Sequence, residues 1–315
     1  MGNENNSTKY KVLEILRNND SFISGEEIAI QSNVSRVSIW KAVQSLQNAG
    51  YSISSSKMGY KLESDIKDSL FPWEFGSGEE RFVHFDTVKS TMIEAHKIAE
   101  VGKKDSQIEV VVSDTQTNGR GQGTHSWITT KGSLAFTLIN RIPYLLSESQ
   151  RLTMASQIAL VKTLGKLTDR KYYVRWPNDI WTKKGKVAGV LDEVNSVGCK
   201  VKWLNIGIGV NLNETPVIAS SDCVFTSDQN YSRKEVLLTF LDEFRIQEKL
   251  ARTDSSDLSD EWNTLCFDKN KKVRIDNSKT EYLFKGVNGY GWAKLVSEKT
   301  NEKIIVPSGK IKIQK

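Results

Sequence analysis

Three stretches in the middle of the chain combine residues that could bind and neutralise an anion. The first, QTNGRGQGTHSW at residues 116–127, places Arg120 between two glycines and ends on Trp127. Glycine on each side lets the backbone and the guanidinium group approach a phosphate or carboxylate closely. The stretch is not a Walker loop, because no G-x-x-x-x-G-K-[ST] pattern occurs, and the third glycine of a dinucleotide fingerprint would fall at Thr124. It predicts a flexible anion-binding loop of another kind.

The other two stretches supply a second cation and a carboxylate. RWPNDI at residues 175–180 is followed by GKVAGV at 185–190, and IGIGVNL occupies residues 206–212. Each stretch follows or ends a β-rich run, where a sheet can present loops to a ligand. Each also has an ordinary structural explanation, since Pro-Asn-Asp is a turn sequence and Lys186 sits in a lysine-rich hairpin. Their joint occurrence is what favours a catalytic site.

The composition indicates two or three domains without a disulfide framework or a metal cluster. The chain has 315 residues, 38% hydrophobic content and a net charge of +6, and domains run to roughly 100–200 residues. Its three cysteines and three histidines are scattered, so we expect free thiols and no bound zinc. No apolar run approaches the ~20 residues of a membrane span, and the first residues lack a signal core. We therefore expect a cytoplasmic protein that does not engage membranes.

Residues 1–65 are predicted to form a winged helix-turn-helix domain. A first helix is followed by a capping box, Ser24 with Glu27, and then by a helix over SRVSIWKAVQSLQNAG that ends at Gly50. A short hairpin that turns near residues 57–59 supplies the wing. The apolar face of the second motif helix is predicted to consist of Val37, Trp40, Val43 and Leu46.

The charge distribution of this domain favours DNA binding. No Asp or Glu occurs between Glu27 and Glu63, whereas the second motif helix and the wing are basic. In this motif the helix enters the major groove and the wing lies along the phosphate backbone. A small helical protein-interaction module is the alternative. The residues expected to contact DNA are Arg36, Ser38, Lys41 and Lys57.

The rest of the chain divides into a linker, a central domain and a small β domain. Residues 66–80 hold a proline, two glycines and several charges, and are predicted to be a linker. Residues 81–265 alternate β-rich runs with helical patterns, which predicts an α+β domain around one mixed sheet. Residues 266–315 consist of short strands and turns, which predicts a small β-barrel.

Taken in order, the central motifs resemble those of the biotin protein ligases. The resemblance covers the whole chain, because a winged helix, a ligase core and a C-terminal SH3-like barrel make up the bifunctional microbial ligases that also repress biotin synthesis genes. The residues that carry it are Ser90-Thr91, Gln116, GRG at 119–121, Trp127, WPND at 176–179, GKxAG at 185–189 and GIGVN at 207–211.

The resemblance implies a reaction in two steps. Biotin's carboxylate attacks the α-phosphate of ATP, giving biotinyl-5′-AMP and pyrophosphate, and a lysine of a biotin carboxyl carrier domain then displaces AMP. Magnesium is expected with the ATP, and the adenylate is expected to favour a homodimer that binds operator DNA.

The resemblance also implies a role for each matched residue. Lys186 should bind biotin's carboxylate, Asp179 should orient the incoming lysine and accept its proton, and the loop around Arg120 should close over the adenylate. The implied catalytic residues are Arg120, Lys186 and Asp179. The implied biotin-binding residues are Ser90, Thr91, Gln116, Arg120, Lys186 and Gly189. The implied nucleotide-binding residues are Gln122, Trp127, Asn178 and Asn211.

Two positions depart from the family pattern. Gln122 stands where the family loop has a second arginine, and Met92 stands where an asparagine commonly follows Ser-Thr. Loss of the second cation predicts faster escape of biotinyl-5′-AMP. The sequence therefore leaves open a DNA-binding biotin sensor with weak or leaky ligase activity, and a working ligase whose winged helix no longer binds DNA.

Overall fold

A computed structural model describes residues 6–101, 108–141, 145–226, 229, 231–253, 255–275, 280–307 and 311–313. The chain forms two compact units, Met1–His84 and Phe85–Lys315. Among the helices that the structure describes, none has the length and apolar character needed to cross a bilayer.

The N-terminal unit contains the three helices and the two-stranded wing that the sequence predicts. Its elements are α1 (Thr8–Arg17), α2 (Gly25–Ser32), α3 (Arg36–Asn48), β1 (Ser52–Ser56) and β2 (Gly59–Ser64). A serine side chain caps the start of each helix, because its oxygen accepts a hydrogen bond from a backbone N–H of the first turn. At α2 this serine is Ser24 and the N–H belongs to Glu27, as the capping-box pattern predicts.

The apolar face predicted for α3 is wrong at two of its four positions. Val43 and Leu46 are buried together with Ile39 and Ala42. Val37 and Trp40, in contrast, are 62% and 53% exposed. A row of residues spaced three apart drifts by about 60° per step around an α-helix, so it cannot stay on one face. The buried face is set by the mixed three- and four-residue spacing.

The predicted linker packs against the helices of its own unit. It contains 3₁₀ turns over Pro72–Arg81, within which Trp73 and Glu74 are buried. The Arg17 guanidinium binds both Asp65, at 2.7 Å, and Glu74, at 2.8 Å. The first compact unit therefore extends beyond the predicted domain end at residue 65. The boundaries between the functional domains remain a prediction.

A seven-stranded sheet forms the centre of the second unit. Its strands, in spatial order, are β3 (Phe82–Val88), β4 (Glu109–Gln116), β7 (Leu134–Asn140), β11 (Lys200–Val210), β10 (Lys186–Val197), β9 (Asp179–Trp181) and β8 (Tyr173–Arg175). All neighbouring pairs from β4 to β8 are antiparallel. A short separate hairpin, β5 (Gly119–Arg120) with β6 (Ser126–Trp127), forms from the glycine-rich loop. The α+β class is confirmed.

Helices cover both faces of this sheet. They are α4 (Thr91–Val101), α5 (Ser149–Leu167), α6 (Arg233–Thr253) and α7 (Ser255–Thr264). On β7, Ile139 packs with Ala95 of α4, whereas the ring of Phe136 lies 5.2 Å from that of Phe240 on α6. Because side chains alternate along a strand, α4 and α6 lie on opposite faces. α5 packs against α6 and against β8 to β10.

The C-terminal strands form a five-stranded antiparallel sheet. In spatial order they are β15 (Lys303–Val306), β14 (Ala293–Ser297), β13 (Glu281–Val287), β12 (Lys272–Ile275) and β16 (Ile311–Ile313). Asn263 of α7 exchanges two hydrogen bonds with the backbone of Val287, and Trp176 Nε1 donates to the carbonyl of Gly291 at 3.1 Å. These bonds attach the small sheet to the central one.

The three cysteines are free and differ in their surroundings. Cys199 is exposed, whereas Cys223 and Cys266 are partly buried. Burial raises the pKa of the Cys266 thiol to about 11, so near pH 8, roughly the ordinary thiol pKa, it stays protonated.

We expect a thiol-specific alkylating reagent at that pH to label Cys199 and leave Cys266 unmodified, because the thiolate is the reactive form. Peptide mass spectrometry would measure the labelling, with denatured protein as the control in which all three cysteines react. Equal labelling rates of Cys199 and Cys266 in the folded protein would contradict the expectation.

Candidate active site

A cavity of about 250 Å³ opens on the face of the central sheet that carries α4. We call it the first cavity. The predicted site residues come to it from β10, the start of β9, the start of α4 and the β5–β6 hairpin. Those that line it are Ser90, Thr91, Gln116, Arg120, Gln122, Trp127, Asn178, Asp179, Lys186 and Gly189.

Glycines form the floor of the first cavity. Asp179 pairs with Gly189 across β9 and β10, and Gly189 pairs with Gly209 across β10 and β11. A Cβ atom at Gly209 would lie 2.3 Å from the indole ring of Trp127, and one at Gly207 would lie 2.9 Å from Cε of Met92. The GIGVN glycines therefore make room for two side chains that shape the cavity.

Lys186 and Asp179 form an ion pair inside the first cavity. Lys186 Nζ lies 2.6 Å from Asp179 Oδ1 and 5.5 Å from the centre of the Trp127 ring. The backbone N–H of Lys186 donates to the carbonyl of Ser220 at 2.8 Å, and a Cβ atom at Gly185 would lie 2.6 Å from that same oxygen. Glycine before the lysine thus allows the close backbone approach that positions the cation.

Arg120 reaches the same cavity from the β5–β6 hairpin and is held by Glu193. The guanidinium makes two contacts with this carboxylate, Nη2 to Oε1 at 2.8 Å and Nη1 to Oε2 at 3.1 Å. His96 Nε2 lies 2.5 Å from Glu193 Oε2. Sequence reasoning missed Glu193 and His96. A signal existed for Glu193, because it is four residues beyond Gly189 on one strand and so lies on the same face.

The far end of the first cavity is a network of buried and partly buried polar groups. Gln116 Oε1 accepts hydrogen bonds from the backbone N–H of Thr91, at 2.8 Å, and from its hydroxyl, at 3.3 Å. Gln116 Nε2 donates to Thr129 Oγ1 at 3.2 Å, and the Thr137 hydroxyl donates to that of Thr91 at 2.9 Å. Ser90 and Thr91 are buried. Thr129 and Thr137 belong to no motif, so no pattern in the chain points to them.

Asn211 is the one predicted ligase-site residue that does not line the first cavity. It is buried, and its Nδ2 donates to the carbonyls of Lys186 and Asp222. Its Oδ1 and the Nε1 of Trp127 are buried without a hydrogen-bond partner among the described residues. Asn178 lines the cavity, but its Nδ2 is already bonded to the carbonyl of Val190 at 2.7 Å. The predicted contact of Asn211 with adenine stays a prediction.

The predicted DNA-contacting residues divide between a cleft and an open helix face. Arg36 and Lys57 line a cleft of about 490 Å³ between α3 and the wing, together with Val37, Trp40 and Met58. Lys41 is exposed on α3 outside this cleft. The backbone N–H of Ser38, also outside the cleft lining, donates to the capping Ser35 hydroxyl at 3.2 Å.

Comparison with known proteins gives separate matches for an N-terminal and a central part of the chain. Residues 85–213 match the family model of the biotin/lipoate A/B protein ligase family, and residues 8–61 match the model of an HTH domain. The chain is 30% identical over 207 residues to the bifunctional ligase/repressor BirA of Bacillus subtilis, which is 62% of this chain and 62% of that protein. It is 26% identical over 216 residues to the bifunctional ligase/repressor BirA of Escherichia coli, or 65% of that protein. These matches span about three fifths of the relatives' length.

The fold has a counterpart among solved structures. The biotin protein ligase from Aquifex aeolicus, solved in complex with biotin and ATP, aligns with a TM-score of 0.60. The alignment covers 74% of this chain and 98% of that chain at 21% sequence identity, so the likeness concerns the fold. Residues 85–213 are therefore a domain of the biotin/lipoate A/B protein ligase family, in a chain whose residues 8–61 are a helix-turn-helix domain.

Proposed function

We propose that the protein is a biotin protein ligase that also represses transcription. It forms biotinyl-5′-AMP from biotin and ATP and transfers biotin to a lysine of a biotin carboxyl carrier domain. The observation that carries the proposal is the convergence of Arg120 and Lys186 on the first cavity from separate hairpins. Two cations at one cavity suit a reaction between a carboxylate and a phosphate.

In the first step, biotin's carboxylate oxygen forms a bond to the α-phosphorus of ATP, and pyrophosphate leaves. Lys186 binds the carboxylate and stabilises the charge that develops on the phosphoryl oxygens. Arg120 binds the phosphate of the adenylate. Both cations already face carboxylates, Asp179 and Glu193, so binding the substrates exchanges one anionic partner for another. Magnesium enters with the ATP, and we propose neither Asp179 nor Glu193 as its ligand.

In the second step, the lysine amine forms a bond to the acyl carbon of the adenylate, and AMP leaves with the electrons of the broken C–O bond. Asp179, at the start of β9, orients the incoming lysine side chain. The β5–β6 hairpin carries Arg120 and Trp127 over the cavity, so its closure would exclude water from the reactive anhydride.

The two ends of the first cavity suit the two halves of biotinyl-5′-AMP. The network around Ser90, Thr91 and Gln116 presents buried donors and acceptors that fit the ureido ring and would reject analogues without its polar groups. Trp127 covers the adenine face. Asn211 lies outside the cavity lining, and its Oδ1, which has no hydrogen-bond partner among the described residues, would accept from the amino group of adenine.

The direct test is incubation with biotin, ATP and a biotin carboxyl carrier domain, followed by mass measurement of both proteins. We expect the carrier to gain one biotinyl group, and a carrier whose acceptor lysine is replaced by arginine to gain none. Absence of the adduct at enzyme concentrations equal to the carrier would overturn the proposed ligase activity.

A biotin sensor with leaky ligase activity is the second candidate, and Gln122 favours it. This side chain lines the first cavity and is exposed and uncharged. We expect Gln122→Arg to slow dissociation of biotinyl-5′-AMP roughly tenfold, because a hydrogen bond to a charged group contributes about 1.5 kcal/mol at the low end of its range. Stopped-flow dissociation would measure this, with the exposed Gln31→Arg of the other unit as control. Equal off-rates for Gln122 and Gln122→Arg would remove the reason for the second candidate.

The repressor function is assigned to the N-terminal unit. Arg36 and Lys57 face one cleft from α3 and from the wing, so both can reach a phosphate backbone. We expect Arg36→Ala and Lys57→Ala each to weaken operator binding and to lower the salt slope of log K by about 1 per lost phosphate contact.

Gel shifts with biotin and ATP at several salt concentrations would measure this, with the exposed Lys67→Ala as control. An unchanged slope in both variants would argue against DNA contact by the cleft. Failure of the unsubstituted protein to shift DNA would favour a ligase whose winged helix has lost this role.

The proposal also covers the domain organisation, the oligomeric state and the location of the protein. Residues 1–65 are the DNA-binding domain, residues 66–80 link it to the catalytic domain at 81–265, and residues 266–315 close into an SH3-like barrel. Biotinyl-5′-AMP promotes a homodimer, which presents two winged helices to an operator with two half-sites. Because the reaction uses ATP and a carboxylase carrier, the protein works in the cytoplasm.

A further inference from the structure

A second cavity, of about 100 Å³, adjoins the first at the Pro177–Asn178 turn. Gln122, Pro177, Asn178 and Leu191 line both cavities. The second one reaches the α5 side of the sheet, because its lining includes Thr153 of α5. The two cavities are therefore neighbours around one turn of the chain, on the two sides of β10.

The second cavity contains a carboxyl group that the proposed reaction has not used. Asp192 lies next to Glu193 on β10 and so points to the opposite face of the sheet. Among the described residues, it makes no ion pair. Burial raises its pKa above the ordinary value, and hydrogen bonds from its own backbone and from the Thr153 side chain partly oppose that rise. A desolvated carboxyl group beside a reaction site is a good partner for a cation and a good proton acceptor.

The remaining walls suit an extended aliphatic chain that ends in an ammonium group. Trp176, Trp262 and Val287 supply apolar surface. The Thr153 side chain is 6% exposed, and its hydroxyl lies beside the Asp192 carboxyl group as a hydrogen-bond partner. A lysine side chain has this pattern, a four-carbon stem with three N–H donors at its end.

Asp179 lines the first cavity and does not line the second. Its Oδ1 lies 2.6 Å from Lys186 Nζ, so it stands at the end of the incoming lysine's path. An incoming lysine arrives as an ammonium ion, and it becomes nucleophilic after it loses a proton. The group that accepts this proton must lie on the path to the acyl carbon.

We propose that the second cavity admits the side chain of the acceptor lysine and that Asp192 binds its ammonium group and takes its proton. The proton passes from nitrogen to the Asp192 carboxylate. The free amine then passes between Gln122 and Asn178 and forms its bond to the acyl carbon. AMP leaves with the electron pair of the C–O bond, and the second nitrogen proton leaves with its phosphate. This inference rests on the proposed ligase function.

The test separates formation of the adenylate from its use. In Asp192→Asn, biotin-dependent exchange of pyrophosphate into ATP should stay within twofold of the unsubstituted protein. Transfer of biotin to the carrier lysine should fall at least tenfold, since general-base catalysis contributes about 10²–10⁴-fold. Cleavage of the preformed adenylate by hydroxylamine, which is uncharged at neutral pH and needs no base, should not change.

Asp242→Asn is the matched control, because Asp242 is an exposed aspartate on α6. Carrier transfer at the normal rate in Asp192→Asn would overturn the inference. Equal losses with the carrier and with hydroxylamine would also overturn it, because they would mean that Asp192 supports the structure of the site. If the unsubstituted protein made no adenylate, the proposed function itself would fail.

Discussion

Replacing Lys186 with methionine is expected to lower the rate of biotinyl-5′-AMP formation by about 10²–10³-fold, the range for removing one preorganised charge-stabilising group. The ammonium group lies in the first cavity, 2.6 Å from Asp179. Without it, Asp179 would face the incoming carboxylate with no cation between them, so repulsion adds to the lost stabilisation. Methionine keeps an unbranched side chain that is one atom shorter and uncharged. Biotin-dependent exchange of pyrophosphate into ATP measures the step.

Lys184→Met is the matched control for this prediction. Lys184 lies two residues earlier in the same hairpin and is exposed, so it has the same local charge but does not face the cavity. We expect its exchange rate to be unchanged. Equal effects of the two substitutions would mean that the hairpin contributes general positive charge and that Lys186 has no specific position in the reaction.

Replacing Gly209 with alanine is expected to weaken ATP binding about 10- to 100-fold. The added Cβ atom would lie 2.3 Å from the indole ring of Trp127, so the ring must leave its place over the floor of the cavity. Base–aromatic stacking contributes about 1–3 kcal/mol per base, which sets the size of the loss. Isothermal titration with a non-hydrolysable ATP analogue would measure the affinity.

Gly165→Ala provides the control for this substitution. A Cβ atom at Gly165, on α5, would meet no atom within 4 Å, so the same chemical change should leave ATP binding as it is. Trp127→Ala should match Gly209→Ala if displacement of the ring is the cause. Normal ATP affinity in Gly209→Ala would show that the Trp127 ring does not cover the adenine.

The sequence predicts the parts of the site that depend on local order along the chain. The glycines of GKVAGV and GIGVN mark places where backbones or side chains approach closely, and the structure places Ser220, Trp127 and Met92 against them. The serine caps of the N-terminal helices are similarly local, since a side chain bonds a backbone N–H three residues later.

The sequence does not predict the parts that depend on which elements meet. His96 comes from α4, and nothing in its spacing shows that it meets Glu193 of β10, the carboxylate that binds Arg120. The predicted apolar face of α3 is wrong for a related reason. Val37 and Trp40 are apolar, but they lie on the side of the helix that is turned away from the core.

Buried polar residues are the hardest group to assign from the chain alone. Asn211 belongs to a motif, yet its amide nitrogen is occupied by two backbone carbonyls. Asp192 belongs to no motif, yet it is the carboxyl group of a cavity beside the predicted site. Whether a polar side chain serves the fold or a ligand depends on which hydrogen bonds the fold has already satisfied.

The most direct measurement is a crystal structure of the protein grown with biotin and ATP. It would locate the acyl-phosphate relative to the side chains of Arg120 and Lys186. The account predicts one biotinyl-5′-AMP molecule in the first cavity, with both side chains within about 3 Å of its acyl-phosphate oxygens, the distance of a charge-assisted hydrogen bond. Biotinyl-5′-AMP bound elsewhere, or bound there with Arg120 still paired to Glu193 and Lys186 still paired to Asp179, would contradict it.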